Sequence, residues 1–189
     1  MRSGNRWRAA VLFDLDGTLI DTKALYLECY RRAVEPRIAR QPSDDELMAL
    51  RPRSELRFLA SLVAESEFEA CRVDFHAHYH ALHASHFGGV YHGVQELLGR
   101  IRSAGHPLGI VTGKSRRSWD VTAAIADLGA FDVLVFDDDV DAAKPDPHGI
   151  RLALERLDTP PERAVYVGDT MSDVLAARAA GVLPVAATW

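Results

Sequence analysis

The stretch that decides the fold is Val11-Leu12-Phe13-Asp14-Leu15-Asp16-Gly17-Thr18-Leu19-Ile20-Asp21. In it, an apolar run ends in two aspartates separated by one residue, and a glycine follows them. Two carboxylates at the end of a buried strand are costly unless a cation lies between them. The pattern therefore predicts a metal site, a nucleophile, or both at the end of a strand.

Size and composition limit the class of protein. The 189 residues suffice for one well-buried domain, or for one domain with a modest insertion. A net charge of −5 argues against a nucleic-acid-binding surface. Neither Cys29 nor Cys71 has a zinc-like partner spacing, and no apolar run reaches membrane-spanning length. We therefore expect a cytoplasmic protein with no nucleic-acid or membrane partner.

From about residue 90 onward, short apolar segments alternate with amphipathic helical segments. The pattern predicts strands at 108–111, 133–136, 164–167 and 182–186, and helices at 94–104, 115–128, 147–157 and 172–180. Such alternation is typical of repeated βα units in a parallel sheet, to which residues 11–13 add a strand. Pro184 indicates an edge or irregular position for the last strand. The fold class is therefore α/β.

Residues 22–89 lack a convincing strand and predict an all-helical insertion into this sheet. A helix from Lys23 is expected to break at Pro36, residues 43–46 form a capping-box pattern, and Ser54 can cap a third helix. A fourth helix carries an apolar stripe of residues at i, i+3/i+4 spacing, namely Phe68, Cys71, Phe75, Tyr79 and Leu82. We predict a core of residues 1–21 and 90–189 and a helical cap of residues 22–89.

Polar residues follow each predicted strand, where ligands of parallel sheets bind. Thr112, the backbone around Gly113 and the ammonium of Lys144 can bind an oxyanion. Three aspartates offer the all-oxygen ligation that favours Mg²⁺, namely Asp14, Asp169 and Asp173.

This combination predicts phosphoryl transfer. A carboxylate fixed at the end of a central strand suits a nucleophile, which is the role expected for Asp14. Asp16 lies two residues further on and can act as the acid and base. Mg²⁺ and Lys144 offset the charge that accumulates when two anions meet.

Four segments resemble, in order, the four motifs of the haloacid dehalogenase superfamily. They are residues 14–19, 111–114, 144–147 and 168–173, which span nearly the whole chain. The helical insertion resembles the small α-helical cap of phosphoglycolate phosphatases, β-phosphoglucomutases and dehalogenases. The resemblance implies a Rossmann-like core, Mg²⁺ and an aspartyl-phosphate on Asp14. It also implies that Asp16 ligates the metal through its backbone carbonyl and that Thr112 and Gly113 hold the phosphate.

Within the superfamily, Asp16 favours phosphate esters, because an alkoxide needs a proton to leave and a halide does not. We expect a Mg²⁺-dependent phosphatase, monomeric or homodimeric, acting on a small phosphorylated metabolite, with a phosphoglycolate-like compound as the best guess. A β-phosphoglucomutase-like phosphomutase needs the same residues and stays open. A non-enzymatic phospho-accepting signalling domain is a further alternative, which the motif order opposes.

Three groups of charged or polar residues lie outside these motifs. Arg51 and Arg53 could grip a second anionic group of the substrate, or they could be solvated surface charges. The acidic run 137–139 is expected to be a solvated turn. His76, His80 and His83 share a helical face, which we expect to be solvated rather than to bind a metal.

Overall fold

Five parallel strands form the central sheet of the computed structural model, which describes residues 9–50 and 54–189. In chain order the strands are β1 (Ala10–Phe13), β2 (Ile20–Asp21), β3 (Gly89–Val90), β4 (Leu108–Val111), β5 (Val133–Val135), β6 (Ala164–Gly168) and β7 (Leu183–Ala186). The order in the sheet is β5-β4-β1-β6-β7, which puts β1 in the centre and β7, with its proline, at an edge. The predicted α/β fold class is confirmed.

Eight helices connect or cover these strands in the described residues. They are α1 (Lys23–Ile38), α2 (Asp44–Ala49), α3 (Glu55–Leu62), α4 (Glu65–His86), α5 (Val94–Ser103), α6 (Arg116–Ala123), α7 (His148–Arg156) and α8 (Met171–Ala180). Helix α6 ends before the predicted position at 128. The chain turns there and buries Ala126 and Leu128, while Gln95 of α5 donates a hydrogen bond to the Asp127 carbonyl at 2.8 Å.

Alternate residues of β1 face opposite helical layers, as the two-residue period of a strand requires. Leu12 packs in the apolar cluster that includes Ile150 of α7 and Ala176 of α8. Phe13 packs in the cluster on the other face, which includes Leu98 of α5. Helices cover both faces of β1, so its continuous apolar sequence is buried except at Val11, which is partly buried.

Helices α1 to α4 form the cap, with an apolar cluster of their own around Tyr30, Leu59 and Phe75. Ser43 caps α2 in a capping box, and Ser54 caps α3, as predicted. The predicted break at Pro36 is wrong, because α1 continues to Ile38. A proline in the last turn forfeits one hydrogen bond, and burial of the preceding turns compensates for that loss.

The two connections between cap and core pair with each other. Strands β2 and β3 are antiparallel, with Ile20 opposite Val90 and Asp21 opposite Gly89. This short ribbon lies at the predicted domain boundaries of 21/22 and 89/90, which remain a prediction. Among the helices of the described residues, none has both the length and the apolar character needed to cross a membrane.

Candidate active site

Three carboxylates meet at the carboxyl ends of β1 and β6. Asp14 follows β1 and Asp169 follows β6. These two strands are neighbours in the sheet, and Phe13 of β1 lies opposite Val167 of β6. Asp173 lies in the first turn of α8, where its Oδ2 accepts a hydrogen bond from the Thr170 backbone N–H at 3.0 Å. One carboxylate oxygen from each aspartate lies within 4.8 Å of the other two. Opposite ligands of an octahedral Mg²⁺ are about 4 Å apart, so this donor set fits one hard cation.

Lys144 places a positive charge between two of these carboxylates. Its Nζ lies 2.9 Å from Asp14 Oδ1 and 2.7 Å from Asp173 Oδ1. It also donates a hydrogen bond to the Tyr166 hydroxyl at 2.9 Å. The lysine therefore orients Asp14 while offsetting the charge of the acidic cluster.

Burial and this lysine decide the protonation of the cluster. Burial raises the pKa of Asp14 to about 7, although Lys144 opposes the shift. Burial also raises the pKa of Asp173, but Lys144 outweighs it and leaves that pKa below its usual value. Burial alone would lower the pKa of Lys144, yet the charge of Asp14 holds it well above the usual value. The site thus keeps its ammonium, and the Asp14 carboxyl is less acidic than a solvated one.

Asp169 is the exposed member of the cluster. Its Oδ1 accepts a hydrogen bond from Thr18 Oγ1 at 3.0 Å. Gly17, with φ of +82°, lets the chain turn directly beneath this carboxylate. The motif Asp14-Leu15-Asp16-Gly17-Thr18 therefore provides both a member of the cluster and a support for another.

Asp16 lies on the cap side of Asp14. Its Oδ1 accepts a hydrogen bond from Thr22 Oγ1 at 2.7 Å and lies 2.9 Å from Lys114 Nζ. Lys114 was not among the predicted site residues. The signal was present, because it is one of only three lysines in the chain and follows Thr112 and Gly113 directly.

A cavity of about 580 Å³ is lined by residues of both the core and the cap. Asp14, Asp16 and Asp169 line it, together with further predicted residues of the core, namely Thr112, Gly113 and Lys144. The cap contributes Tyr26 and Glu55. The volume is within the range of small-molecule sites. Arg51 and Arg53, predicted to bind substrate, lie outside the described residues.

The prediction of a solvated turn at 137–139 is wrong for its first residue. Asp137 is buried, and its Oδ2 accepts a hydrogen bond from Ser54 Oγ at 2.6 Å. Its Oδ1 pairs with Arg57, and Arg57 Nη2 donates to the Val140 carbonyl at 2.6 Å. The core loop therefore anchors the first turn of α3, which sequence periodicity does not reveal.

The predicted solvated histidine face is also wrong for two of its three residues. His76 and His83 are buried, and only His80 is exposed. Helix α4 packs against α1 on one side and α6 on another, so it buries more than its apolar stripe. His83 Nε2 lies 3.0 Å from Thr122 Oγ1 of α6. His83 therefore joins the cap to α6 of the core.

The parallel sheet, its acidic cluster with a bridging lysine and the helical cap are typical of an α/β enzyme that transfers phosphoryl groups. Residues 11–187 match the model of the haloacid dehalogenase-like hydrolase family. The chain belongs to this family. This match, together with the phosphatase names of the relatives below, confirms the sequence-based prediction of a hydrolase of the phosphatase type.

Individual relatives agree with this assignment. The chain is 35% identical over 181 residues to pyrophosphatase PpaX of Bacillus velezensis, covering 95% of this chain and 83% of the relative. It is also similar to CbbY from Rhodobacter sphaeroides in complex with phosphate, with a TM-score of 0.83 and 26% identity. That match covers 94% of this chain and 84% of CbbY. A candidate phosphoglycolate phosphatase from Lactobacillus plantarum matches with a TM-score of 0.79, 26% identity and the same coverage.

Proposed function

We propose that the chain is a Mg²⁺-dependent phosphatase that hydrolyses a small phosphorylated metabolite through an aspartyl-phosphate on Asp14. The observation that carries the proposal is the convergence of Asp14, Asp169 and Asp173, with oxygens within 4.8 Å of one another, beside Lys144. Asp14, Asp169 and Asp173 would hold the cation, with the Asp16 carbonyl as a further ligand. When bound, Mg²⁺ supplies positive charge that offsets the charge of the phosphoryl oxygens.

The chain's own residues provide two half-reactions. A carboxylate oxygen of Asp14 forms a bond to phosphorus as the ester P–O bond breaks, and Asp16 gives its proton to the departing oxygen. Asp16 then takes a proton from water, which attacks phosphorus and frees Asp14 and inorganic phosphate. Lys144 holds Asp14 throughout, and the Thr112 hydroxyl and Gly113 N–H bind phosphoryl oxygens.

The substrate class is inferred from the cavity. Its volume of about 580 Å³ suits a compact phosphorylated metabolite, for which phosphoglycolate is the best guess. Pyrophosphate is a second candidate, because a relative at 35% identity is named a pyrophosphatase. Both compounds are small anions that carry a second acidic group next to the reacting phosphate.

A phosphate-release screen with Mg²⁺ tests the proposal. The panel should contain phosphoglycolate, pyrophosphate, hexose phosphates and simple alkyl phosphates. We expect release from at least one compound, and a loss of at least about 10⁴-fold in Asp14→Asn, because the amide is not a nucleophile. Release that is equal in wild type and variant, or absent across the panel, would contradict the proposal. Conversion of a hexose phosphate to its isomer without phosphate release would indicate the phosphomutase instead.

A further inference from the structure

Lys114 is a buried cation at the wall of the cavity. Its side chain is 0% exposed. Its Nζ donates hydrogen bonds to the hydroxyls of Tyr26 and Tyr79, each at 2.7 Å, and lies 2.9 Å from Asp16 Oδ1. An ammonium has three N–H donors, and these three oxygens match them in number. Lys114 therefore has no donor left for a substrate anion.

Aromatic rings add to this enclosure. The Nζ of Lys114 lies 4.4 Å from the ring centroid of Tyr26 and 4.8 Å from that of Tyr79. Cation–π contacts at these distances stabilise a desolvated ammonium. The two tyrosines come from α1 and α4 of the cap, whereas Lys114 follows β4 of the core.

Both tyrosine hydroxyls are fixed in turn. The Tyr26 hydroxyl donates to Glu55 Oε2 at 2.8 Å, so its oxygen is free to accept from Lys114. The Tyr79 hydroxyl lies 2.9 Å from Thr122 Oγ1 of α6. Glu55 and Thr122 thus fix the two hydroxyls, and the hydroxyls in turn hold the Lys114 ammonium against Asp16.

We propose that Lys114, held by Tyr26 and Tyr79, is a positioning residue that fixes the Asp16 carboxylate for proton transfer to the leaving group. The inference rests on the proposed phosphatase function. Lys114 and Thr22 both contact Oδ1 of Asp16, which leaves Oδ2 as the oxygen to meet the leaving group in the cavity. Loss of the ammonium would let the carboxylate rotate, and proton delivery would then suffer more than phosphate binding.

The dependence of rate on leaving group separates this role from others. An alkyl phosphate needs a proton on its departing oxygen, whereas 4-nitrophenyl phosphate releases a stable phenolate without one. The ratio of kcat/KM for the best alkyl ester to kcat/KM for the nitrophenyl ester therefore reports proton delivery. General acid catalysis contributes about 10²-fold or more, so Asp16→Asn should lower this ratio by about 10².

Three variants test the positioning role. We expect Lys114→Met to lower the ratio by about 10-fold or more, with inhibition by inorganic phosphate changed by less than about 2-fold. Tyr26→Phe and Tyr79→Phe keep the charge and most of the packing and should each lower it by about 3-fold. Tyr30→Phe is the matched control, because Tyr30 stacks on Tyr26 but its hydroxyl is directed to the Glu55 carbonyl. In Tyr30→Phe, the ratio of kcat/KM for the alkyl ester to kcat/KM for the nitrophenyl ester should equal that of wild type.

Each outcome decides the inference. The inference would be overturned if Lys114→Met lowered kcat/KM equally for the two esters. It would also be overturned if the inhibition constant of phosphate rose strongly while the ratio of the two kcat/KM values stayed unchanged. If Lys114→Met does not fold, wild-type ratios in both Tyr26→Phe and Tyr79→Phe would overturn it. A wild-type protein that releases phosphate from no compound of the panel with Mg²⁺ would refute the proposed function, and the inference with it. An active wild type with unaltered variant ratios would refute the inference alone.

Discussion

Charge balance at single residues lets three carboxylates share one site. Asp14 and Asp173 are both buried, and without a cation each would raise the pKa of the other. Lys144 lies within 2.9 Å of both and supplies that cation from the protein itself. One ammonium cannot neutralise three carboxylates, so the cluster keeps a net negative charge when all three are ionised. This residual charge is the physical basis for expecting metal dependence.

Gly17 is tightly constrained beside the acidic cluster. Its φ is +82°, and a Cβ added there would lie 2.4 Å from Asp169 Oδ2. Gly17→Ala should therefore destabilise the fold by about 1–2 kcal/mol and displace Asp169. Urea unfolding measures the first effect, and the Mg²⁺ concentration for half-maximal activity, which should rise at least about 3-fold, measures the second.

Gly99→Ala serves as the matched control for this change. Gly99 lies within α5, and an added Cβ would have no neighbour within 4 Å. Alanine should stabilise this helix by about 0.5–1 kcal/mol and leave the Mg²⁺ dependence unchanged. Wild-type stability and Mg²⁺ dependence in Gly17→Ala would show that the turn beneath Asp169 is not constrained as described.

At the scale of the elements, the start of α3 depends on a contact with the core. Ser54 Oγ accepts from the Arg57 backbone N–H at 3.3 Å and donates to the buried Asp137 at 2.6 Å. Ser54→Ala removes the cap and leaves Asp137 without one partner, so we expect a loss of about 2 kcal/mol. Urea denaturation of the whole protein gives this value.

Ser43 provides the comparison, because its hydroxyl also accepts from the backbone N–H three residues further on, but at an exposed position. Its hydroxyl accepts from the Glu46 backbone N–H at 3.2 Å. Ser43→Ala should therefore cost only about 0.5–1 kcal/mol. Equal losses for the two serines would mean that the contact between α3 and Asp137 adds nothing to stability.

The elements also show how far sequence reasoning reaches. Strands β1, β4 and β6 were predictable because their apolar runs and the polar residues after them are local patterns. The α2 and α3 caps were predictable for the same reason. The continuation of α1 past Pro36 and the burial of Asp137 were not, because packing between distant segments decides them. Lys114 falls between these cases, since its position was visible but its tyrosine partners come from α1 and α4.

At the scale of the whole molecule, the junction between cap and core is polar and buried. Helix α4 meets α6 through Tyr79 and His83, which both contact Thr122, and through His76, whose Nδ1 lies 3.4 Å from Ser118 Oγ. Buried polar groups must keep their partners or incur a penalty. Such a junction specifies one arrangement of cap on core, and it is sensitive to any change in the charge of its members.

Acid should therefore weaken this junction. Burial lowers the pKa of His76 to about 4, and the neighbouring Arg117 and Arg72 add to the shift. The folded protein thus holds His76 neutral, while the unfolded chain binds a proton below about pH 6.5. The stability present above that pH is lost progressively as the pH falls towards 4, by about 1–2 kcal/mol at pH 5.

His76→Gln cannot bind that proton, so its free energy of unfolding should fall by about 1 kcal/mol less than that of wild type between pH 7 and pH 5. Chemical denaturation at the two pH values measures the difference, and differences between variants cancel the titration of other groups. His80→Gln is the control, since His80 is exposed on the same helix and should leave the wild-type dependence unaltered. If His76→Gln loses as much stability as wild type over this range, the buried histidine is not the source of the acid sensitivity of the junction.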